Sequence, residues 1–294
     1  GEPVRLDRYL RRLYLGATQG VIEKALRMGA LRLNGKKAKT SDRVKTSDVI
    51  NIRPGLFEKK SGARACEFSR SVISLAEKLL SDYLLFSTDE FIAINKPGNL
   101  AVQGGSKIDL SIDDALAYLN QKQVDEYKLV HRLDKATSGI LLIAKGFDNA
   151  AKLAAAFQEK LISKIYLAVL SGCPDEKEGR LVHMIGKDRS GAFEIVKEQR
   201  EGGKLAETYY KILEANSKIS LVEFMPVTGR MHQLRFHSKL LGCPIVGDEK
   251  YGGFKYKRML LHAKKLTLQK EVFGRKIIIE SAPGDDFCTK INFN

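Results

Sequence analysis

The sequence has no tryptophan, few prolines and few cysteines, and it contains no long apolar segment. Its four cysteines, at positions 66, 173, 243 and 288, are far apart and form no Cys-X-X-Cys pair. Neither a disulfide framework nor a zinc site is expected, and reduced, mostly buried thiols are the simpler interpretation. No apolar run approaches the length that crosses a bilayer, and the beginning of the chain lacks the apolar core of a signal peptide. These absences predict a cytoplasmic protein that is not embedded in a membrane.

The common catalytic motifs are also missing. The sequence has no Walker A loop, no Gly-X-Gly-X-X-Gly turn after a strand, no His-Glu-X-X-His helix and no Gly-X-Ser-X-Gly elbow. Its five histidines are scattered, and His232 and His237, five residues apart, would lie on different faces of a helix. Any activity is therefore expected to need no metal and no cofactor.

Positive charge is what the chain has in excess. The formal net charge is +15, and residues 1–60 hold fifteen Lys or Arg against six Asp or Glu. A polyanionic partner is expected, either nucleic acid or an anionic membrane surface. The hydrophobic content of 44% and the charged content of 29% are typical of globular proteins, so a packed core is expected as well.

The N-terminal part of the chain predicts a small binding unit. Apolar spacing predicts helices over 4–14 and 19–28, the second stopped by Gly29, and then a strand, an Asn34-Gly35 turn and another strand. Two helices and a small sheet in about fifty residues form too small a core for much beyond binding. Its cations could simply face solvent, but their clustering favours phosphate contacts. The candidates are Arg5, Arg8, Arg12, Arg32, Lys36, Lys37 and Lys39.

The rest of the chain is rich in predicted strands. Residues 56–82 read as a basic linker and a helix, so the predicted domains are 1–55, 56–82 and 83–294. After residue 83, strand patterns outnumber helix patterns, which favours an α+β fold with a mixed, mostly antiparallel central sheet and flanking helices. A helix is predicted over 228–242, with Thr228 as its N-cap.

Residues 129–145, LVHRLDKATSGILLIAK, place one carboxylate among cations at the start of a strand that must be buried. Asp134 could be a solvated turn residue, or it could be the single carboxylate of an active site, since a desolvated and ionised Asp is a competent nucleophile or base. Arg230 lies at the predicted start of a helix, where the dipole disfavours a cation, so it either has an anionic partner or extends into solvent. Tyr166 lies in a strand, where it could pack or stack under a nucleobase.

These residues fall within motifs of a known family. HRLDKATSG resembles the signature of the RluA family of RNA pseudouridine synthases, and INKPGNLAVQGG, SKIYLAVLSG and PVTGRMHQLRFHSKLLGCPIVGDEKYGG resemble its other motifs in the same order. Residues 4–52 resemble the small RNA-binding module, of the αL type, that often precedes such synthases. The overall pattern is most similar to the RluC branch, with the RluD branch as its rival.

The resemblance implies an enzyme that detaches uracil from ribose at N1 and reattaches it through C5 in large-subunit ribosomal RNA, without cofactor or metal. Asp134 would act on the ribose as nucleophile or base, and Tyr166 would stack on uracil and help remove the C5 proton. Arg230 would pair with Asp134 and keep it ionised. Arg132 would contact the RNA and help fill the gap left by the flipped uridine, and Lys164 would contact RNA or brace the site.

Three alternatives remain at this point. They are a non-catalytic ribosome-assembly factor, a synthase of the RluD type with other target uridines, and a hydrolase of glycosidic bonds. The hydrolase usually needs a second carboxylate, which no comparable motif supplies. A monomer is expected in each case, and His131 and Lys135 are left without a role.

Overall fold

The computed structural model describes residues 4–15, 17–45, 47–59, 68–105, 108–122, 126–188, 195–199 and 201–284. The chain divides into two compact units, Gly1–Glu67 and Phe68–Asn294. Within the described residues, no helix combines the length and hydrophobicity needed to cross a membrane.

The first unit packs two helices against short strands. The helices are α1 Leu6–Leu13 and α2 Gln19–Arg27, and the strands are β1 Val4–Arg5, β2 Tyr14–Leu15, β3 Leu31–Leu33, β4 Arg43–Val44, β5 Ile50–Ile52 and β6 Glu58–Lys59. The strands pair antiparallel, β1 with β4, β2 with β6 and β3 with β5. Leu6, Leu10, Ile22 and Leu31 are fully buried at the centre of this unit. The two predicted helices and the Asn34-Gly35 turn are confirmed, since both turn residues have positive φ.

The second unit is built around one large sheet. Its helices are α3 Arg70–Leu80, α4 Ile112–Lys122, α5 Phe147–Gln158, α6 Gln233–Leu240 and α7 Lys270–Phe273, with a 3₁₀ turn at Glu249–Tyr251. Its strands are β7 Leu84–Ser87, β8 Phe91–Lys96, β9 Tyr127–Leu129, β10 Ser138–Lys145, β11 Ile162–Ser171, β12 Glu178–Asp188, β13 Ile195–Glu198, β14 Lys204–Ala215, β15 Ile219–Pro226, β16 Leu261–Leu268 and β17 Ile277–Glu280.

The sheet is mixed and mostly antiparallel, as predicted. Its order is β13-β12-β14-β15-β11-β16-β10-β8-β7, with β9 also pairing with β10 and β17 with β16. Among the described strands, only β10 and β16 run parallel, and they pair at Ser138 with His262 and at Gly139 with Ala263. Gly139 has a φ of 106°, and a Cβ there would lie 2.4 Å from the carbonyl oxygen of Ala263. The close approach of the two strands therefore requires glycine at this position.

Strand β10 lies between two layers of the core, which is why its sequence is apolar without alternation. Leu141 and Ile143 pack in a cluster with residues of α3 and α4, and Ile140, Leu142 and Ala144 pack in a second cluster with residues of α5. A strand covered on both faces needs apolar residues at every position. The buried strand predicted after Asp134 is thus confirmed, and it gives that loop a rigid base.

Two expectations about boundaries differ from the structure. The helix predicted over 228–242 begins at Gln233, and Thr228 does not cap it, because the Thr228 hydroxyl instead hydrogen bonds with Gln233 Oε1 and the backbone of Glu207. Helix α3 belongs to the second unit, because Leu75, Ala76 and Leu79 are buried in its core. The chain therefore divides between residues 67 and 68, and most of the predicted linker lies outside the described residues.

Candidate active site

A cavity of about 700 Å³ opens in the second unit where the Asp134 loop, β11 and the segment before α6 meet. Asp134, Tyr166, Arg230, Arg132 and Lys164 all line it. The structure therefore brings together the five residues of this unit that the sequence singled out, although they are spread over about a hundred positions of the chain. His131, His232 and Arg235 line the same cavity.

A buried lysine, Lys96, stabilises the Asp134 loop through hydrogen bonds to backbone carbonyls. A turn closes the loop, with the Thr137 backbone N–H donating to the Asp134 carbonyl at 3.0 Å. Lys96, which is fully buried, donates from Nζ to the carbonyls of Pro97, Leu100 and Lys135 at 2.8, 2.9 and 3.1 Å. Burial lowers the pKa of Lys96 to about 7, and the charge of Asp134 partly offsets that effect. Sequence reasoning missed this residue, although a charged side chain between a buried strand and a Pro-Gly break was a usable signal.

Arg235, and not Arg230, is the arginine beside the Asp134 carboxylate. Arg235 Nη1 lies 3.5 Å from Asp134 Oδ2, and its side chain is only 7% exposed. Asp248 holds the guanidinium with two hydrogen bonds of 2.6 Å, from Nε and Nη2. The Tyr251 ring lies against it, 4.9 Å from the guanidinium carbon. Burial alone would lower the pKa of Arg235, but the hydrogen bonds and charge of Asp248 outweigh burial and raise that pKa.

The expected ion pair between Arg230 and Asp134 is therefore wrong. Arg230 lies three residues before α6 and donates from Nε to the carbonyl of Leu205 at 3.0 Å. It is exposed at the edge of the cavity, so it faces solvent or a bound molecule. The helix-dipole argument does not apply to it, because it lies outside the helix.

Tyr166 and Lys164 approach the cavity from β11. The Tyr166 ring is half-buried and packs against the two core clusters that meet beneath the site. Burial, and secondarily the charge of Asp134, raises the pKa of its hydroxyl, so the phenol stays protonated near neutral pH. Burial lowers the pKa of Lys164, whose ammonium lies close to Gly229. Arg132 is exposed and donates from Nη1 to Gln103 Oε1 at 3.3 Å.

His131 has a structural role that the sequence did not reveal. Its Nε2 accepts a hydrogen bond from the backbone N–H of Leu142 at 2.8 Å, just beyond the end of the β9–β10 pairing. The ring also packs on Phe157, with ring centroids 4.6 Å apart. Burial and the nearby Lys164 lower the pKa of His131 to about 3, so it acts as a neutral acceptor.

Comparison with known proteins shows which family the chain belongs to. The family model described as RNA pseudouridylate synthase matches residues 90–240, which include Asp134, Tyr166 and Arg235. The chain is 50% identical over 284 residues to the ribosomal large subunit pseudouridine synthase C of Rickettsia typhi (strain ATCC VR-144 / Wilmington), covering 95% of this chain and 93% of that protein. The chain belongs to the RNA pseudouridylate synthase family. It is accordingly an isomerase.

More distant synthases show the same relationship. The protein of that name from Vibrio cholerae serotype O1 (strain ATCC 39315 / El Tor Inaba N16961) is 32% identical and covers 94% of this chain and 89% of its own length. Among solved structures, human RNA pseudouridylate synthase domain containing 4 superposes with a TM-score of 0.62 at 26% identity, over 74% of this chain and 94% of that one. Human RNA pseudouridylate synthase domain containing 1 gives a TM-score of 0.57 at 28% identity, over 68% and 83%.

A second family model, the S4 domain, matches residues 4–50 of this synthase. Most of the predicted RNA-binding cations of this unit are exposed, namely Arg5, Arg8, Arg32, Lys36, Lys37 and Lys39. Arg5 donates two hydrogen bonds to Asp7, at 2.8 and 3.2 Å, and Arg32 donates to the Gly35 carbonyl at 3.3 Å. The side chain of Arg12 lies outside what the structure describes.

Proposed function

We propose that this synthase converts uridine to pseudouridine in large-subunit ribosomal RNA and that Asp134 acts on the ribose. The names of the relatives from Rickettsia typhi and Vibrio cholerae support the substrate. The observation that carries the assignment of Asp134 is its position, 28% exposed in the cavity and 3.5 Å from a guanidinium that is itself buried and fixed by Asp248.

Two routes fit this arrangement. In the first, a carboxylate oxygen of Asp134 bonds to C1′ as the C1′–N1 bond breaks, the uracil anion turns, and its C5 displaces the carboxylate. In the second, Asp134 removes the proton from C2′ as the C1′–N1 bond breaks, and it returns that proton to C2′ as C5 bonds to C1′. In both routes the C5 proton is then lost and N1 gains one. The fixed charge of Arg235 holds the carboxylate in position throughout.

The other residues of the cavity divide between the base and the RNA backbone. Tyr166 supplies a flat face on which the flipped uracil stacks, and its raised pKa favours stacking over a role as base for the C5 proton. We assign Arg132 and Lys164 to contacts with the RNA around the flipped uridine. Arg230, which is exposed at the edge of the cavity, joins them as an RNA contact.

We assign RNA capture to residues 1–55 and catalysis to residues 83–294. Support for the first comes from the S4 domain match and from the exposed lysines after the Asn34-Gly35 turn. A ribosomal RNA substrate also implies a cytoplasmic location. We expect a monomer, which light scattering of the purified protein would test.

The test of the proposed function is tritium release from ribosomal RNA labelled with [5-³H]uridine. Asp134→Asn should reduce release to background, because an amide neither attacks C1′ nor removes the C2′ proton, while filter binding to the same RNA stays within about twofold of the wild-type protein. Near-normal release by this variant would contradict the role of Asp134. Absence of release by the wild-type protein would favour a non-catalytic assembly factor, and release of free uracil would indicate a hydrolase.

A further inference from the structure

His232 has an unusual backbone conformation beside the reacting carboxylate. It immediately precedes α6 and adopts φ 52° and ψ 21°, in the left-handed region that residues other than glycine seldom occupy. Such conformations cost free energy and concentrate at functional sites. In this conformation the imidazole lines the cavity, with 13% of its side chain exposed.

The hydrogen bonds around the ring determine which nitrogen carries the proton. Tyr251 Oη accepts a hydrogen bond from the backbone N–H of Val196 at 2.8 Å and lies 3.0 Å from His232 Nδ1. Burial raises the pKa of Tyr251 to about 12, so its hydroxyl keeps its hydrogen and donates it to Nδ1. Burial also lowers the pKa of His232, and Asp134 only partly offsets this, so the ring is neutral. A neutral ring that accepts at Nδ1 carries its hydrogen on Nε2.

This Nε2–H is directed at the site and is not used within the described part of the chain. Asp134 Oδ2 lies 3.9 Å away, which is too far for a direct hydrogen bond. The gap is short enough for one oxygen atom to contact both. A hydroxyl can do both, accepting from Nε2–H and donating to a carboxylate, and the ribose of the substrate carries one next to C1′.

We propose that His232 donates from Nε2–H to the 2′-hydroxyl of the target uridine, and that this hydroxyl in turn donates to the Asp134 carboxylate. The proposal rests on the proposed function, because Asp134 acts at C1′ or C2′ and the 2′-hydroxyl is attached to C2′. A hydrogen bond to uracil would fit less well, because the base must turn during the reaction whereas the ribose stays in place. His232 is therefore a specificity-determining residue that distinguishes RNA from DNA at the reacting nucleotide.

The experiment is a two-by-two comparison of binding. One RNA is a ribosomal fragment that carries pseudouridine at a mapped product position, which the enzyme does not convert further, and the other has 2′-deoxypseudouridine at that position. For the wild-type protein, loss of the hydroxyl should raise Kd about 25-fold, because two hydrogen bonds worth about fivefold each are lost. For His232→Phe, which keeps a ring but has no N–H, the difference should fall to about fivefold, because the hydroxyl still donates to Asp134.

Two further variants keep the test decisive. Met231→Leu changes a neighbouring lining residue at nearly constant volume and should retain the difference of about 25-fold. His232→Asn replaces His232→Phe if the phenylalanine variant does not fold, because asparagine tolerates the left-handed conformation. Equal effects of the missing hydroxyl in the wild-type and His232 variants would overturn the proposal. That outcome would leave the proposed function intact, since tritium release tests it separately.

Discussion

Arg230 and Arg235 are five residues apart and line the same cavity, yet their surroundings differ. Arg235 is buried between Asp248 and Asp134, whereas the Arg230 side chain is exposed and donates to the Leu205 carbonyl. Arg235→Lys keeps the charge but loses the two-pronged contact with Asp248, so the charge no longer has a fixed position at Asp134. We expect it to slow single-turnover tritium release about a hundredfold, the size of effect seen when an electrostatic group in an active site is displaced.

The matched control is Arg230→Gln. This variant should weaken filter binding to ribosomal RNA about fivefold, as expected for loss of a phosphate contact, and should slow single-turnover release far less than Arg235→Lys. Melting temperatures of both variants would show that the protein remains folded. If Arg230→Gln were the slower enzyme, the assignment of the two arginines would have to be exchanged.

The sequence could identify the motif that contains both arginines but could not choose between them. Arg235 contacts Asp134 and Asp248 only because folding brings these residues together. The spacing of residues within the motif does not show which of the two arginines is buried. Arg230 was singled out because a helix was expected to begin at Thr228, and its pairing with Asp134 was implied by the family resemblance. The helix begins five residues later. Asp134 and Tyr166 were easier to identify from the sequence, because a buried strand follows Asp134 and another contains Tyr166. The roles of Lys96 and His131 depend on contacts with the backbone, and that of His232 on its contact with the Tyr251 hydroxyl, none of which a sequence shows.

At the scale of the element, β10 depends on a neutral histidine. The His131 Nε2 lone pair accepts from the Leu142 N–H, and protonation would abolish that bond. The pKa of His131 is about 3 in the folded chain and about 6.5 when unfolded. Between these values the unfolded chain binds more protons, so stability is lost as pH falls below 6.5. At pH 5 this costs about 2 kcal/mol relative to pH 7.

The comparison that isolates this effect uses His131→Gln, whose amide oxygen can accept from Leu142 N–H but does not titrate. We expect urea unfolding of the wild-type protein to lose about 2 kcal/mol more than the variant between pH 7 and pH 5. His237, which has a pKa lowered to about 4 mainly by burial, is present in both proteins and cancels in the difference. Parallel pH profiles would show that His131 is not the titrating group.

Element prediction succeeded where the apolar pattern was long. Strands such as β10, β11 and β15 are recognisable because several consecutive or alternating apolar residues must be buried. The three-residue β9 and the four-residue β13 were not predicted, because their pairing depends on neighbouring strands rather than on their own composition. The parallel pairing of β10 with β16 is likewise a property of the fold, since the two strands are more than a hundred residues apart in the chain.

At the scale of the molecule, the chain has two units with separate cores, and positive charge is concentrated in the first of them. Within that unit Lys36, Lys37 and Lys39 are exposed, and none of them has a side-chain hydrogen bond or ion pair among the described residues. Charges placed in this way contribute to affinity by displacing counterions from phosphates, and the contribution appears as the dependence of affinity on salt. If the assignment of RNA capture to residues 1–55 is correct, these three lysines contribute to the salt dependence, whereas exposed lysines of the catalytic unit that lie outside the cavity contribute little to it.

The combined substitution of Lys36, Lys37 and Lys39 by Gln should reduce the slope of log K against log salt concentration by about two, because each lost phosphate contact removes roughly 0.7–0.9. Filter binding of the full chain to ribosomal RNA measures this slope, in a titration from about 50 to about 200 mM salt. The control replaces Lys218, Lys270 and Lys276, three exposed lysines of the catalytic unit, by Gln. It changes the net charge equally and should leave the slope within about half a unit of the wild-type value. Equal reductions in both triple variants would mean that overall charge, rather than the S4 domain surface, captures the RNA.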